Sequence, residues 1–596
     1  MSGKKFSKKV VIAAFVLLAL LAFTMAVAGC LTPGGGGGKT YSADVIIVGA
    51  GGAGMSATIE ARKVGASVIV LEKSAVVGGN TLPAMSGLSA VGSDVQTAAD
   101  IGSNVYTIDD FVKRHVNKLN NPDLVRLLAQ KSAETVRWLE DMGLVLTIAS
   151  KDGDGRMMHA PSGPGGQAII PLLSESLKKS GATVVFNTTA TELIYQSGKV
   201  VGVEAVDSKG NKLQFRGNAV ILATGGYGRD NALVAQYRPE YAGLATDEIA
   251  PTTGDGLRMA QKIGAAVQDL DQFHLISKVE IISHDMILPG WIAENAIFVN
   301  YAGKRFLKEG AAPGQSQVGL VDTVLTAPVD KRTFYYIFDD AILKNHSGVQ
   351  AFYNRRLTVQ GATPAELAAK LGIDPTAFEN TINTWNGYFR TTPIVDREFG
   401  RTGAGMTAPL SNPPYYAIRA NSGIHYCMGG LKINTQNQVI TTEGNIIPGL
   451  YAAGEVTGGV HGSERVEGTA VTDSLVFGRL AGQQASAYAA SQGKVVINLP
   501  APASSGKTAV GNFTNGVHTG TGMGRNGPLT VSVTVANGSI TKIDFVRQTE
   551  TPVMFDAIER QLIPAIISAQ SLNVDSVSGA TISTTGVLEA VKSALE

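Results

Sequence analysis

Cysteine is almost missing from this chain of 596 residues: Cys30 and Cys427 are the only two. That scarcity excludes a disulfide framework, a thiolate-held iron–sulfur cluster and a Cys-x-x-Cys-His haem attachment. A surplus of one charge is missing too, since 50 Lys and Arg offset 49 Asp and Glu. So even a balance leaves no electrostatic footprint for nucleic acid, and none is expected as a partner. Internal repeats are also lacking, and no ligand set for a metal is read. What remains is a chain with 70 glycines and 44% hydrophobic residues, too long for one core. Two to four domains of Gly-rich α/β character are predicted.

The two ends differ sharply from the middle. Lys4, Lys5, Lys8 and Lys9 precede an uncharged run from Val10 to Gly29, then Cys30. The run suits a secretory signal, or alternatively a retained membrane helix. Val27-Ala-Gly-Cys30 resembles a bacterial lipobox, which implies a signal peptide over 1–29 and a lipid anchor on Cys30. Both readings keep the lysines in the cytoplasm and hold the body on the extracytoplasmic face of the cell membrane. Residues 30–40, with glycines 34 to 38, form a flexible tether.

Beyond it, Ala43 to Val48 has the pattern of a buried strand, followed by Gly49-Ala-Gly51-Gly-Ala-Gly54 and a helix-period stretch from Met55 to Val64. Val68 to Leu71 is a second strand ending at Glu72, 23 positions after Gly49. Glycines at that spacing let backbone approach a pyrophosphate at a helix N-terminus, and the acid meets ribose hydroxyls. Strand, helix and acid in register point to a bound dinucleotide.

At the other end, Asp575-Ser-Val-Ser-Gly-Ala-Thr581-Ile-Ser-Thr584 precedes a helical pattern from Val587 to Leu595. A hydroxyl-rich cap on that helix is the simple reading. The stretch from about Gly511, with Gly520-Thr-Gly-Met-Gly524, the strand-like Leu529 to Val535, Asn537-Gly538 and Glu550-Thr-Pro552, resembles the FMN-binding domain of respiratory flavoproteins. That resemblance implies FMN carried as a phosphoester on Thr581, put there by a separate flavin transferase.

The central segments have their own likeness. Glu72 to Thr81 with Gly78, Gly79 and Asn80, then Leu222-Ala-Thr-Gly225-Gly226, Thr253-Gly-Asp255-Gly256 and Gly449 to Gly459 with Glu455 resemble, in order, the flavoprotein family of fumarate reductase and succinate dehydrogenase, with its flavocytochrome c and urocanate reductase-like members. The likeness runs from about Ser42 to Gln484. It implies non-covalent FAD held by Gly49, Gly51, Gly54, Glu72, Gly79, Asn80, Thr81, Gly225, Asp255 and Glu455. A helix starting near Ala470 would direct its positive end at the flavin ring. The implied fold class is α/β: a Rossmann-like FAD-binding domain in two segments, 41–270 and 425–495, an inserted α+β capping domain at 271–424, a linker at 496–508 and a small α+β FMN-binding domain at 509–596.

For the substrate, the resemblance places His425 in Ser422-Gly-Ile-His425 and Arg465 in Gly459-Val-His-Gly-Ser-Glu-Arg465 on one carboxylate. A guanidinium fork holds such a group at two points and steadies charge that grows on it. A core imidazole, and an ion pair of Arg465 with Glu464 or Glu467, are the structural alternatives. The family's arginine proton donor falls on Pro313, which has no proton to give. Its second carboxylate site falls on Ile276, Leu288-Pro289 and Ile292. Two carboxylates therefore fit poorly, and an α,β-unsaturated monocarboxylate is expected, its apolar or aromatic tail among Leu288, Trp291 and Ile292. His274, or else His284, is the expected general acid, with Tyr301 behind them. The whole reads as a reductase in an anaerobic respiratory chain, fed by a membrane donor, a quinol or a flavin or haem carrier, through FMN and FAD. A desaturating dehydrogenase and an electron relay with no substrate of its own are the rivals.

Overall fold

The computed structural model describes residues 39–596 apart from 100–104, 152, 288–294, 310–314, 501–512, 526 and 578–579. The signal peptide, Cys30, most of the tether, most of the 496–508 linker, Leu288, Pro289, Trp291, Ile292 and Pro313 lie outside the described residues.

Val45–Val48 is an apolar strand with every residue buried, and such uninterrupted burial belongs to a parallel sheet covered on both faces. It pairs in parallel with Val68–Leu71 and with Ala219–Leu222. The sheet runs Gln438–Ile440, Ile446–Ala452, Ala219–Leu222, Val45–Val48, Val68–Leu71, Thr183–Val185, with only the Gln438–Ile440 edge antiparallel. The helix Gly52–Lys63 makes the first crossover, starting three residues earlier than its apolar period suggested. A second helix, Thr469–Ser491, crosses it at glycines: a Cβ on Gly478 would lie 2.5 Å from the Ala53 carbonyl oxygen, and one on Gly482 2.3 Å from that of Ala57. Only glycine permits so close an approach.

A second sheet is organised around the long strand Tyr415–Cys427. It pairs antiparallel with Phe273–Glu280, Phe334–Asp339 and Thr358–Gly361, and in parallel with Ala245–Thr246. Phe298, Phe334, Tyr336, Phe338 and Trp385 fill the capping core beneath it. Tyr415 to Ile418 and Ala420 belong to that core, whereas Ile424 and Cys427 belong to the main core. The expected domain break at 424/425 therefore falls inside a continuous strand, because one ladder serves both cores.

The C-terminal unit is an antiparallel meander of Gly516–Met523, Pro528–Ala536 and Ser539–Arg547. Leu529, Val531, Val533 and Val535 alternate inward, and the helix Thr581–Leu595 lies across the sheet. Gly520 and Gly522 make room for it: a Cβ at either would fall 2.1 and 2.0 Å from the carbonyl oxygens of Ala590 and Gly586. That helix begins at Thr581, six residues before the apolar pattern, with Thr584 N–H donating to the Ala580 carbonyl. Thr581 is its first residue.

Candidate active site

The glycine cradle comes first. Gly49 has φ +101°, and a Cβ there would meet the Ala223 carbonyl oxygen at 2.2 Å; a Cβ on Gly54 would meet the Gly49 oxygen at 1.9 Å. Gly51 pairs with Gly78 and lies against Gly79, so two turns close on each other backbone to backbone. No side chain caps the Gly52–Lys63 helix at Gly51, which leaves its first turn open to an anion. Gly52 faces Thr81 and Ser474, bringing the N-terminal turn of the Thr469–Ser491 helix, also without a side-chain cap, to the same place.

Glu72 stands at the end of its strand as the spacing predicts. Its carboxylate accepts from Ala50 N–H at 2.8 Å and Ser74 N–H at 2.7 Å, and burial pushes its pKa up. Asp255 is taken up by Lys73 at 2.7 Å and by the Thr253 hydroxyl, so it fastens the loop after Glu72. Asn80 donates to Glu455 at 3.1 Å and accepts from Ile249 N–H at 2.9 Å. Gly225 has φ +73°, and Gly226 leaves no room for a Cβ beside the Glu455 carboxylate. Glu455 also accepts from Cys427 N–H at 3.0 Å. Next to it lies a residue the sequence did not reveal: Glu248, fully enclosed, whose carboxyl is raised well above its ordinary value by burial and by Glu455. Glu248, Cys427 and Glu455 have donor atoms within 4.8 Å of one another, each already hydrogen-bonded within the protein.

His425 and Arg465 come together through the long strand. His425 Nδ1 lies 2.8 Å from Asp247, so Nδ1 carries the proton donated to that carboxylate and Nε2 is the free nitrogen. Asp247 and Glu248 are thus consecutive, one bonded to His425 and the other beside Glu455. Arg465 stacks over the Tyr426 ring at 5.3 Å. Burial lowers its pKa, and its Nε is buried with no hydrogen-bond partner. The ion pairs open to it in the sequence do not form: Glu464 reaches Arg114 at 3.4 Å, and the Glu467 carboxylate accepts from Ser86. Among the described residues no carboxylate lies within ion-pair distance of Arg465. Beneath it, the Tyr426 hydroxyl donates to Asp473 at 3.1 Å, and His461 lies 3.4 Å from the same carboxylate. Neither Asp473 nor His461 had any signal beyond position in a glycine-rich segment.

His274 lies opposite Tyr426, its ring 5.6 Å from that of His425. Burial, then Arg465 and His425, hold it well below the ordinary imidazole pKa, so it is neutral. Ile276 faces Gly423, two positions from His425. Two residues further along, Lys278 is buried, donates to the Ser277 hydroxyl at 3.0 Å, and is pushed down to about 8 by burial. That strand is less uniformly apolar than its sequence position suggested. His284 sits at φ +63° in the loop beyond, half-buried, its pKa lowered by burial. Tyr301 is 40% exposed under Lys331 and faces solvent.

In the small domain, the Thr581–Leu595 helix also lacks a side-chain cap, a fitting place for the phosphate of FMN. Ser583 in its first turn donates to the buried Glu550. The open cradle and the two uncapped helix starts fit FAD in the main body, and this third start fits FMN.

Such a site in such a fold defines a flavin-dependent oxidoreductase with two nucleotide-binding units. Residues 44–471 match the FAD binding domain family and residues 524–596 the FMN-binding domain family. The chain belongs to the FAD-dependent flavoprotein family that includes fumarate reductases. It is 33% identical over 459 residues to the NADH:fumarate oxidoreductase of Klebsiella pneumoniae (strain 342), covering 76% of this chain but 48%, about half, of that protein. It is 31% identical over 472 residues to the urocanate reductase of Eggerthella lenta, covering 76% of each. The open conformation of a flavocytochrome c3 fumarate reductase superposes with a TM-score of 0.67 at 32% identity, over 78% of this chain and 81% of that one.

Proposed function

We propose that this protein reduces the C=C bond of an α,β-unsaturated carboxylate carrying an apolar or aromatic tail, and that fumarate is not its substrate. The observation that carries this reading is Arg465, a half-buried guanidinium with its Nε enclosed and no ion pair among the described residues, near the His425–Asp247 pair. A buried charge without a partner costs several kcal/mol, and a substrate carboxylate is what offsets it. The related reductases that act on fumarate and on urocanate support an unsaturated acid as the class.

FAD, held by the glycine cradle of Gly49, Gly51 and Gly54 with Glu72, would supply the hydride. The protein does the rest. Arg465 takes the carboxylate in two-point contact, and His425, its ring fixed through Nδ1 by Asp247, takes it from the other side. As negative charge spreads from the carbon framework onto that carboxylate, Arg465 stabilises it. His274 gives the proton to the carbon next to the carboxylate from a neutral ring nitrogen, as imidazoles held neutral by their surroundings do elsewhere. The positive start of the Thr469–Ser491 helix favours negative charge on the reduced cofactor. Thr581 would carry FMN, put there by a flavin transferase, and FMN held there would supply electrons drawn from a membrane donor; lipid on Cys30 would hold the body at the extracytoplasmic face.

The test is a panel of enoates with reduced methyl viologen. Aryl- or alkyl-substituted monocarboxylates should be turned over at the highest kcat/KM. Fumarate as the best oxidant would overturn the reading.

A further inference from the structure

We propose that the turn from Ser74 to Val77, the corner at Phe186 and Asn187, and Asp285 in a loop of the capping domain form a built seat for this chain's own C-terminal domain, the position from which that domain exchanges electrons with the FAD site. The proposal rests on the flavin reading above.

Two apolar residues start the argument. Ala75 and Val76, 0% and 7% exposed, pack into the same cluster as Ile558, Leu562, Val577 and Ala580 of the C-terminal domain. The first two follow Glu72 by three and four positions, and the Ser74 amide is one of the donors to Glu72. The last two precede Thr581 by four positions and by one. One apolar patch thus joins the dinucleotide cradle to the segment that leads into the FMN motif.

Polar contacts ring this patch. Arg560 and Gln561 donate to the Ala75 carbonyl at 3.3 and 3.1 Å, and the Arg560 guanidinium lies 4.3 Å from the Phe186 ring centroid. Asn187 donates to Gln561 at 3.2 Å, and Lys178 pairs with Asp556 at 2.9 Å. On the capping side Asp285 accepts from Arg525 at 3.1 Å and lies beside Arg355 of the cap, so one carboxylate serves guanidinium groups from two units. Asp285 is in the loop that follows the His274 strand, which ties the cap over the substrate site to the seated domain. The Lys178–Asp556 pair is half-exposed and contributes little alone. Asp285 and Arg355, each with 16% of the side chain exposed, are less screened by salt. No single contact holds the seat; their sum does, which is why one charge reversal loosens it and three release it.

The exchange it would serve balances within the chain: flavin held at the Thr581 helix start would give up two electrons and two protons as flavin held in the main-body cradle gained them, and an external low-potential reductant would restore the first.

A zero-length carbodiimide, which joins only ammonium and carboxylate groups already in contact, tests the seat on the holoprotein. Peptide mass spectrometry should find Lys178 linked to Asp556. Lys178→Glu should abolish the link, and Lys178→Glu with Asp556→Lys should restore it. In small-angle scattering the triple variant Lys178→Glu, Arg525→Glu, Arg560→Glu should show a larger radius of gyration with both flavins retained by absorbance. Its interflavin transfer should slow at least tenfold while enoate reduction driven directly by reduced viologen persists. An absent wild-type cross-link, or a triple variant with unchanged radius and interflavin rate, overturns the seat. If the seat passes and no enoate is turned over, the activity reading fails instead and the docking stands.

Discussion

Replacing Arg465 by Met separates two roles that a positive charge can have in a folded protein. The arginine is half-buried with its Nε enclosed, lacks an ion-pair partner among the described residues, and has the Tyr426 ring at 5.3 Å and only the longer-range pull of Glu455, Asp247 and Glu467 against its loss of hydration. Such a cation–π contact is worth about 0.5–2 kcal/mol. Burying an ion costs several kcal/mol even after relaxation, so the charge is a net burden on the empty protein. Arg465→Met keeps an apolar stem and removes the burden. The substrate-free variant should be more stable by about 1 kcal/mol or more, a rise in Tm of about 1–3 °C for so large a body. Binding should move the other way. Losing one member of a buried charge-assisted pair costs roughly 2–5 kcal/mol, so affinity for a carboxylate ligand should fall about 30-fold to several thousand-fold. Differential scanning fluorimetry and titration of a saturated acid against the flavin absorbance measure both. A variant that melts several degrees lower and still binds the acid normally would show that Arg465 is structural, and the site assignment would fall.

Asp247→Asn removes the carboxylate that receives His425 Nδ1–H and should raise KM by roughly 10- to 100-fold, the worth of a hydrogen bond to a charged group, with a smaller change in kcat; an unchanged KM would detach Asp247 from the site. His274 is held well below the ordinary imidazole value, so its neutral form should act throughout neutral pH. His274→Gln should cut kcat about 100-fold without removing any inflection near pH 6.5 from the rate profile; loss of such an inflection in the variant would mean that the charged ring is the acid. Glu248 has a folded pKa raised above its unfolded value, so the native state keeps its proton longer than the unfolded chain does. Stability from this group is therefore full below the unfolded pKa and is lost as pH rises through the folded one. Glu248→Gln, compared with wild type in urea melts at pH 5 and pH 8, should gain relative stability at the higher pH, and a gain at the lower pH instead would refute the raised Glu248 carboxyl. Thr581→Val should abolish in-gel flavin fluorescence after denaturation, and a persistent band would move the covalent FMN elsewhere.

Much of the architecture could be read along the chain because the physics behind it is local. The strand Val45–Val48, the glycines 49, 51 and 54 and Glu72 sit within thirty residues, and a turn that needs backbone contact can be made only by glycine. The Leu529–Val535 alternation likewise announces a half-buried strand by itself. Helix starts were less legible, since Gly52 and Thr581 begin helices whose apolar period appears only later.

The candidate site was legible in its residue types and not in its electrostatics. His425 and Arg465 stood out in the sequence, yet whether Arg465 pairs with Glu464 or Glu467 depended on where those carboxylates turn, and both turn away. Asp247 meets His425 from 178 positions away, and Glu248 meets Glu455 only because the strand Ala245–Thr246 lies beside Tyr415–Cys427. Order and composition along the chain determined which nucleotides the protein is built to hold. Tertiary structure alone decided which charges are left without a partner and which carboxyl keeps its proton, because desolvation belongs to the enclosure a side chain ends in, and no stretch of sequence contains its own enclosure.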